Sequence, residues 1–440
     1  MYSKFILSTC FILLLISCKK DNSKNEISKY RDKLTSKQGL RIAKNNSLFY
    51  DSIKHPEKII VPELPGDVLK YSTIIEDVRF IPLETKNESL FGSINELIVT
   101  DDLFFILDKA LKKVLCFDID GKFKFLIHNL GKGPKEFIEV SDIFVDSTDK
   151  NLFLLDSDQN KILKYDFEGN FLKETIIDFV YPFRSFSVNN GNYLIDFNNR
   201  VIPGMFPELE FDLITLDSLG KVKSRNLAYN KVYNPYMYDH TTCFSNNSDG
   251  LQYISLLKKS IYTISGNTIQ KKYLLDFGKD NISEKDLLEF KNIEISDPND
   301  LKKIAKKLSD KISSFSNGPI NFLESETHIV FSYVNNRSLL RAIYDKTSKR
   351  TITDAQAVYD HKLGSILRFS LPISVNENNF YGVVYPNTII TYNKKLIESL
   401  SKKNIEEFYN KNPEYYSLIQ KFEKDENANP HLVIMNFKEF

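Results

Sequence analysis

The sequence predicts an all-β chain closed into one six-bladed β-propeller, and three observations carry that reading. A hairpin unit recurs: a β-branched or aromatic strand, an acidic or polar turn with glycine, then a second short strand. Its glycines fall at 121, 169, 220 and 266, intervals of 48, 51 and 46 residues, which is the length of a four-stranded blade. Aromatics make up 13% of the chain, with 33 Phe and 23 Tyr but no Trp, and Phe and Tyr suit the half-buried face of a strand. Finally, a strand at each end of the repeat region lacks a blade of its own, so pairing the two closes the ring and removes two exposed edges.

The elements follow in chain order. Lys4 precedes an apolar run, Phe5 to Ile16, broken by Ser8, Thr9 and Cys10. At about a dozen residues it is too short to span a bilayer as a helix, so it reads as a targeting segment. It ends in Leu15-Ile16-Ser17-Cys18, which resembles the lipobox of bacterial lipoproteins. That resemblance implies a signal peptide over residues 1–17, a lipid on Cys18 and an exported protein anchored to the bacterial outer membrane. Residues 18–70 read as a tether or loosely held lead-in, because Lys19 to Lys54 is too polar to offset the entropy of ordering it. The propeller is expected over residues 71–440.

The clearest repeats are Phe117 to Phe123 and Tyr165 to Phe171, with looser copies at Leu216 to Val222 and Tyr262 to Thr268. A fifth, Ile343 to Lys349, lacks glycine. In the first four, a turn needing positive φ explains the glycine. Ile94 to Val99 and Leu103 to Leu107 supply two further strands for the first unit, and Ile143 to Val145 and Asn151 to Leu155 for the second. The wide gap after the fourth hairpin is explained by a helical insertion over about 282–314, with Ser283 as its cap. A sixth unit spans Ile366 to Tyr385, where Leu367 to Phe369 and Phe380 to Val384 look like strands. A second helical insertion is expected over about 394–423, and Asp77 to Ile81 is expected to pair with Leu432 to Phe437 in the last blade.

These residues also carry a family resemblance. Val78-Arg79-Phe80-Ile81-Pro82-Leu83-Glu84-Thr85 followed by Leu90-Phe91-Gly92 resembles the opening of the six-bladed β-propeller lipoproteins of Bacteroides-type bacteria. Gly131-Lys132-Gly133-Pro134-Lys135-Glu136-Phe137 is similar to that family's Gly-x-Gly-Pro-Gly-Glu-Phe/Tyr, with Lys135 where glycine is usual. Asn427-Ala428-Asn429-Pro430 resembles its Asn-Pro before the closing strand. The resemblance covers about Asp77 to Phe440 and implies a propeller and an envelope location, but no activity.

Charge and motifs narrow the function. With 59 basic and 58 acidic residues the formal net charge is +1, so nothing points to a nucleic-acid partner. The six histidines form no metal-binding motif, and no nucleophile elbow, P-loop or dinucleotide fingerprint is present. No cofactor, metal or catalytic residue is therefore assigned. In Gly131 to Pro134 the proline removes a backbone N–H that an anion cradle needs, which makes it a rigid turn. Asp118, Asp166 and Asp217 recur at one turn position, as expected of side chains that hold the turn. Asp156 to Asn160 looks like a calcium loop without its glycine and distal glutamate, and reads as a polar turn. Cys116 lies in an apolar run and reads as a buried free thiol, although a pair with Cys243 is open. The basic face of Lys302 to Lys307 reads as solvated.

Departures from the repeat supply the ligand-binding candidates. Tyr233, Tyr236 and His240 lie in a Tyr- and Asn-rich stretch suited to stacking on sugars or gripping peptides, or to packing on a neighbouring blade. Asn198, Asn199 and Arg200 open a long connection of the kind that carries function. The reading favoured is a membrane-anchored envelope module that binds a glycan, a peptide or a partner protein, or serves as a scaffold. The alternative is a lactonase- or hydrolase-type propeller enzyme with a divalent cation held in the channel by Glu, Asn and Asp.

Overall fold

The computed structural model describes residues 49–50, 55–63, 69–177, 185–196, 211–228, 243–247, 250–255, 259–288, 298–316, 318–354, 357–358 and 370–440. Phe104 to Leu107 and Val114 to Phe117 are buried without alternation, because a sheet packed on both faces buries both sides of its central strands. The lead-in supplies β1 (Phe49–Tyr50), β2 (Glu57–Ile60) and β3 (Leu69–Lys70), and α1 (Tyr71–Ile74) and β4 (Ile75–Pro82) follow it. Blade 1 is β5 (Glu96–Val99), β6 (Leu103–Asp108), β7 (Lys113–Asp118) and β8 (Phe123–Ile127). Blade 2 is β9 (Asp142–Asp146), β10 (Asn151–Asp156), β11 (Lys161–Asp166) and β12 (Phe171–Ile176). Blade 3 is β13 (Ser185–Asn189), β14 (Asn192–Asp196), β15 (Phe211–Leu216) and β16 (Val222–Ala228).

Blade 4 is β17 (Phe244–Asn247), β18 (Gly250–Ser255), β19 (Ser260–Ser265) and β20 (Thr268–Asp276). The helices α2 (Glu284–Leu287) and α3 (Pro298–Ile312) precede blade 5, which is β21 (Phe322–Glu324), β22 (His328–Asn335), β23 (Ser338–Asp345) and β24 (Thr351–Thr353). After β25 (Ala357–Val358), blade 6 opens with β26 (Ser374–Asn376) and β27 (Asn379–Val384). It continues, past α4 (Pro386–Ser399), α5 (Lys402–Lys411) and α6 (Pro413–Lys424), with β28 (His431–Phe437).

In each blade the strands are lettered a to d from the axis outward. The innermost strands β5, β9, β13, β17, β21 and β26 each touch the next, and β26 touches β5. The ring is closed. Its last blade runs β26-β27-β28-β4, with Leu432 opposite Ile81, Val433 opposite Phe80 and Asn436 opposite Asp77, as expected from the two unpaired terminal strands. Apolar clusters fill the spaces between blades. One joins Leu97, Phe104 and Phe117 of blade 1 to Tyr381, Leu432 and Ile434 of blade 6, so the two chain ends are held by core packing as well as by the ladder.

The structure corrects the sequence reading in two places. The lead-in is bound well before Tyr71: β2 pairs in parallel with β20, and Ile59 and Val61 are buried against Tyr273 and Leu275. Two alternate apolar residues suffice to dock a short strand on an open edge, a signal lost among the polar residues around it. The second insertion starts at Pro386, not near 394. Its β-branched Thr388-Ile389-Ile390 disfavours helix, but Ile389 and Ile390 are buried beside Val433 and Met435 of the closing strand, and packing outweighs propensity. In blade 6 the innermost strand is Ser374–Asn376, while Leu367 to Phe369 lie outside the described residues. Ser283 does cap α2, with its hydroxyl accepting from Asp286 N–H.

Candidate functional site

The ring has two unlike ends. At one, the a–b pairs, and the c–d pairs of blades 1 to 5, are joined by turns of two to five residues. Hydrogen bonds stitch these turns together: Asn189 Nδ2 donates to Gly266 O at 2.8 Å and Thr327 Oγ1 to Asn378 Oδ1 at 3.1 Å. The b–c and d–a connections emerge at the other end, and these include 197–210, 229–243, 277–321, 354–373 and 385–430. Every departure from the repeat that the sequence singles out starts and finishes at strand ends on this insertion-bearing side.

At the short-turn end the recurring aspartates hold the hairpins, as the sequence implies. Oδ1 of Asp118 accepts from the N–H groups of Asp120 and Lys122 at 3.2 and 2.8 Å. Asp166 repeats this with Glu168 and Asn170, and Asp217 with Leu219 and Lys221. In the fifth repeat Asp345 accepts from Thr347 N–H, and Lys349 takes φ +60° where the others have glycine. Gly220 shows why: its φ is +79°, and a Cβ would stand 2.2 Å from Ile176 O.

The same end holds a buried carboxylate, Glu324, which closes strand a of blade 5. It accepts from Lys346 Nζ at 2.8 Å, Lys272 Nζ at 2.9 Å, Tyr273 Oη at 2.6 Å and the Gln252 amide. Burial acts to raise its pKa, but these cationic and hydroxyl donors outweigh it and hold the carboxyl below its ordinary value. Glu324 is a fully engaged knot between blades 4 and 5.

At the insertion-bearing end a second set of aspartates, unmarked by the sequence reading as a set, ties strand b to the incoming d–a connection. Asp108 accepts from the N–H groups of Gly92, Ser93 and Leu111 at 2.7, 3.2 and 3.0 Å. Asp156 accepts from Ile138 N–H at 2.7 Å and from Gln159 N–H and Nε2 at 3.0 and 2.8 Å. The stretch that looks like a calcium loop is thus a polar turn. The signal was available: both residues end a strand one blade apart.

The Gly131 to Phe137 segment is a turn closed by its own glutamate. Gly133 N–H donates to Glu136 Oε2 at 2.8 Å, and a Cβ on Gly131 would lie 2.0 Å from that same oxygen. A carboxylate fills the place an anion would need. Lys135 adopts φ +66°, so the position resembling a family glycine keeps the left-handed backbone with a lysine side chain. Its ammonium lies 5.3 Å from the Phe171 ring.

Glu96 and Asp142 begin strand a of blades 1 and 2, and sequence reasoning missed them. Their carboxyls hydrogen-bond each other. Glu96 Oε2 accepts from Ile143 N–H at 3.3 Å, and Asp142 Oδ2 from Phe186 N–H at 2.9 Å. Ser185, at the same position of blade 3, bonds Asp142 and accepts from Cys243 N–H at 3.4 Å. In blades 1 to 3 the first inner residue therefore grips the backbone of the next blade. Burial raises both carboxyl pKa values, and at Glu96 the charge of Asp142 adds to the rise, while Lys109 opposes it. Two carboxyls in contact titrate as a pair. The readable signal was an acidic residue opening strand a in two consecutive blades.

Both helical insertions are anchored. Leu308 and Ile312 of α3 are buried, and Arg337 reaches Asp310 at 3.0 Å; Lys303 and Lys306 are exposed. On blade 6, Tyr415, Leu418 and Phe422 of α6 pack with Phe380 and Met435. A cavity of about 320 Å³ lies between the end of β4, α6 and the start of β28. There Lys421 Nζ meets His431 Nε2 at 3.3 Å, and burial with the Lys421 charge pushes His431 down to about 3.

Of the residues singled out from sequence, Cys18, Asn198, Asn199, Arg200, Tyr233, Tyr236 and His240 lie outside the described residues. The strand ends flanking the last six, Asp196, Phe211, Ala228 and Phe244, are described and belong to the insertion-bearing end. Cys116 and Cys243 are buried free thiols, and burial lifts the Cys116 thiol to about 12. Among the described residues no three His, Cys, Asp or Glu side chains converge as metal ligands, and no helix is long and apolar enough to cross a membrane.

Six four-stranded blades around an axis, closed by strands from both termini, define the molecule as a six-bladed β-propeller. The chain belongs to the family described as a domain of unknown function, DUF4934, which matches residues 61–436. A Bacteroides fragilis protein named as an exported protein has a similar structure, with a TM-score of 0.66 at 19% identity over 87% of this chain and 99% of its own. A DUF4221-family protein of Bacteroides vulgatus aligns over 83% of this chain and 97% of its own, with a TM-score of 0.46 at 11% identity. The first likeness shows a shared fold. No curated protein sequence matches the chain.

Proposed function

We propose that this protein is a lipid-anchored envelope module that binds a glycan, a peptide or a partner protein with the insertion-bearing end of its propeller. The observation that carries the reading is the asymmetry of the ring. Five long connections gather at one end, while the other is finished with turns of two to five residues. In a repeat architecture the shared part serves the fold, so specificity belongs to what departs from it. The lipobox-like Leu15-Ile16-Ser17-Cys18 and the exported-protein name of the Bacteroides fragilis structure support an address outside the cytoplasm, with Cys18 as the anchor.

The test is the double variant Tyr233→Ala/Tyr236→Ala, assayed beside the wild type on a glycan array and in pull-downs from envelope extracts. Loss of capture with an unchanged melting temperature is expected, since exposed aromatics contribute to an interface without supporting a core. A stability loss of about 3–5 kcal/mol, typical of a buried aromatic truncation, with capture intact in the folded fraction would make the segment packing instead.

A further inference from the structure

We infer that the N-terminal strap fixes which way the propeller faces: the chain reaches the ring at its short-turn end, so an anchored molecule turns its insertion-bearing end away from the bilayer. This rests on the lipid-anchor reading above and adds a direction to it.

The argument is one of strand polarity. β20 begins at Thr268, just after the turn whose Gly266 O is held by Asn189 of the short-turn end. It ends at Asp276, where the long 277–321 connection leaves. β1 and β2 both run parallel to β20: Phe49 pairs with Thr268, Glu57 with Tyr273 and Ile60 with Asp276. The chain therefore joins the ring beside the short-turn end and travels toward the other. It is held along the way, because Lys349 reaches Glu57 at 2.8 Å and the Tyr344 hydroxyl bonds the same carboxylate. Ile59 and Val61 are buried in the blade 4–5 core.

The C-terminus leaves at the same end. Lys438 O meets His328 Nε2 at 3.0 Å, and Phe440 N–H donates to Asp345 Oδ2 at 2.9 Å. The first described strand, β1, and the C-terminus thus both lie at the short-turn end. The long connections start and finish at the opposite end. The ligand of that end is accordingly one presented from the aqueous phase, not a bilayer lipid.

The experiment uses the full lipidated chain bound to vesicles of phosphatidylethanolamine and phosphatidylglycerol that carry a headgroup energy acceptor. A donor dye is attached at Asp149→Cys or Asp102→Cys in the short a–b turns, or at Ala110→Cys or Lys132→Cys at the insertion-bearing end. All four positions are exposed, and Cys116 and Cys243 are buried away from the dye. Transfer is expected to be higher from positions 149 and 102 than from 110 and 132. Equal or inverted transfer in chains that co-sediment with vesicles overturns the orientation alone. Co-sedimentation is measured separately, with Cys18→Ser as the unlipidated control. If that variant co-sediments as well as the wild type, the anchor reading fails, and the inference with it.

Discussion

The two ends of the ring face the same problem, joining strands, and solve it differently. A c–d turn has to reverse the chain within one sheet, which leaves room for only a few residues and needs special backbone angles. Asp118, Asp166 and Asp217 spend their side chains on their own turns, and the repeat keeps its form. A d–a connection has to travel from the rim of one blade to the axis of the next, so no tight turn serves. Once a connection is long, doubling it costs only about 0.6 kcal/mol of closure entropy. Insertions such as 277–321 and 354–373 accumulate where they are cheapest. What the contrast teaches is that the fold's economy, rather than any single residue, marks out the end available for function.

Two carboxylates make the contrast chemical. Glu324 at the short-turn end is surrounded by two ammonium groups and a tyrosine hydroxyl, and stays ionised. Glu96 at the other end faces Asp142, and burial raises both carboxyls above their ordinary values. The same strand, a, ends in one case in a satisfied anion and begins in the other with a titratable pair.

The largest effect is expected where the ends meet. Deleting residues 431–440 removes β28, strips β4 of its partner and opens the ring, exposing strand edges and an apolar face. Aggregation in size-exclusion chromatography is expected. A monomer with an unchanged melting temperature would mean that closure does not depend on the terminal strands.

Next comes Glu324→Ala. It leaves Lys272, Lys346 and Tyr273 around an empty anion site, and breaking such a buried pair costs about 3–5 kcal/mol. Urea denaturation measures it. A loss below about 1 kcal/mol would place Glu324 among surface ion pairs.

The smallest effect is a pH slope of opposite sign at the two ends. The Glu96–Asp142 pair is raised, so the folded state keeps a proton that the unfolded chain releases above its ordinary 4.5. Stability from this pair is full below that pH and declines as pH rises toward the folded value, by up to about 1.4 kcal/mol per pH unit. Glu96→Gln should remove the decline. Glu324 is lowered, so its contribution is present above 4.5 and lost as pH falls through the folded value; Glu324→Gln should remove that acid-side loss. Melting curves across the acid range decide both, and matching slopes in the wild type and Glu96→Gln would exclude a shared proton.

Much of this was legible in the residues. Spacing and turn chemistry marked the blades, because a hairpin is a local event: Asp118 and Gly121 lie three residues apart and settle their turn between them. Closure was legible too, since two unpartnered strands in a propeller have one economical partner, each other. The aspartates of the short-turn end were readable as turn holders because they recur. Glu96, Asp142 and Glu324 were not, because their roles depend on neighbours far away in sequence, such as Lys272 for Glu324. Nor was the β2 strap, whose partner β20 lies more than two hundred residues on. Local backbone preference and periodicity determined the blades and their number. Only the closed ring decided which charges meet, which strand the lead-in joins and which end is left open, because those depend on distances that exist only once the chain has folded.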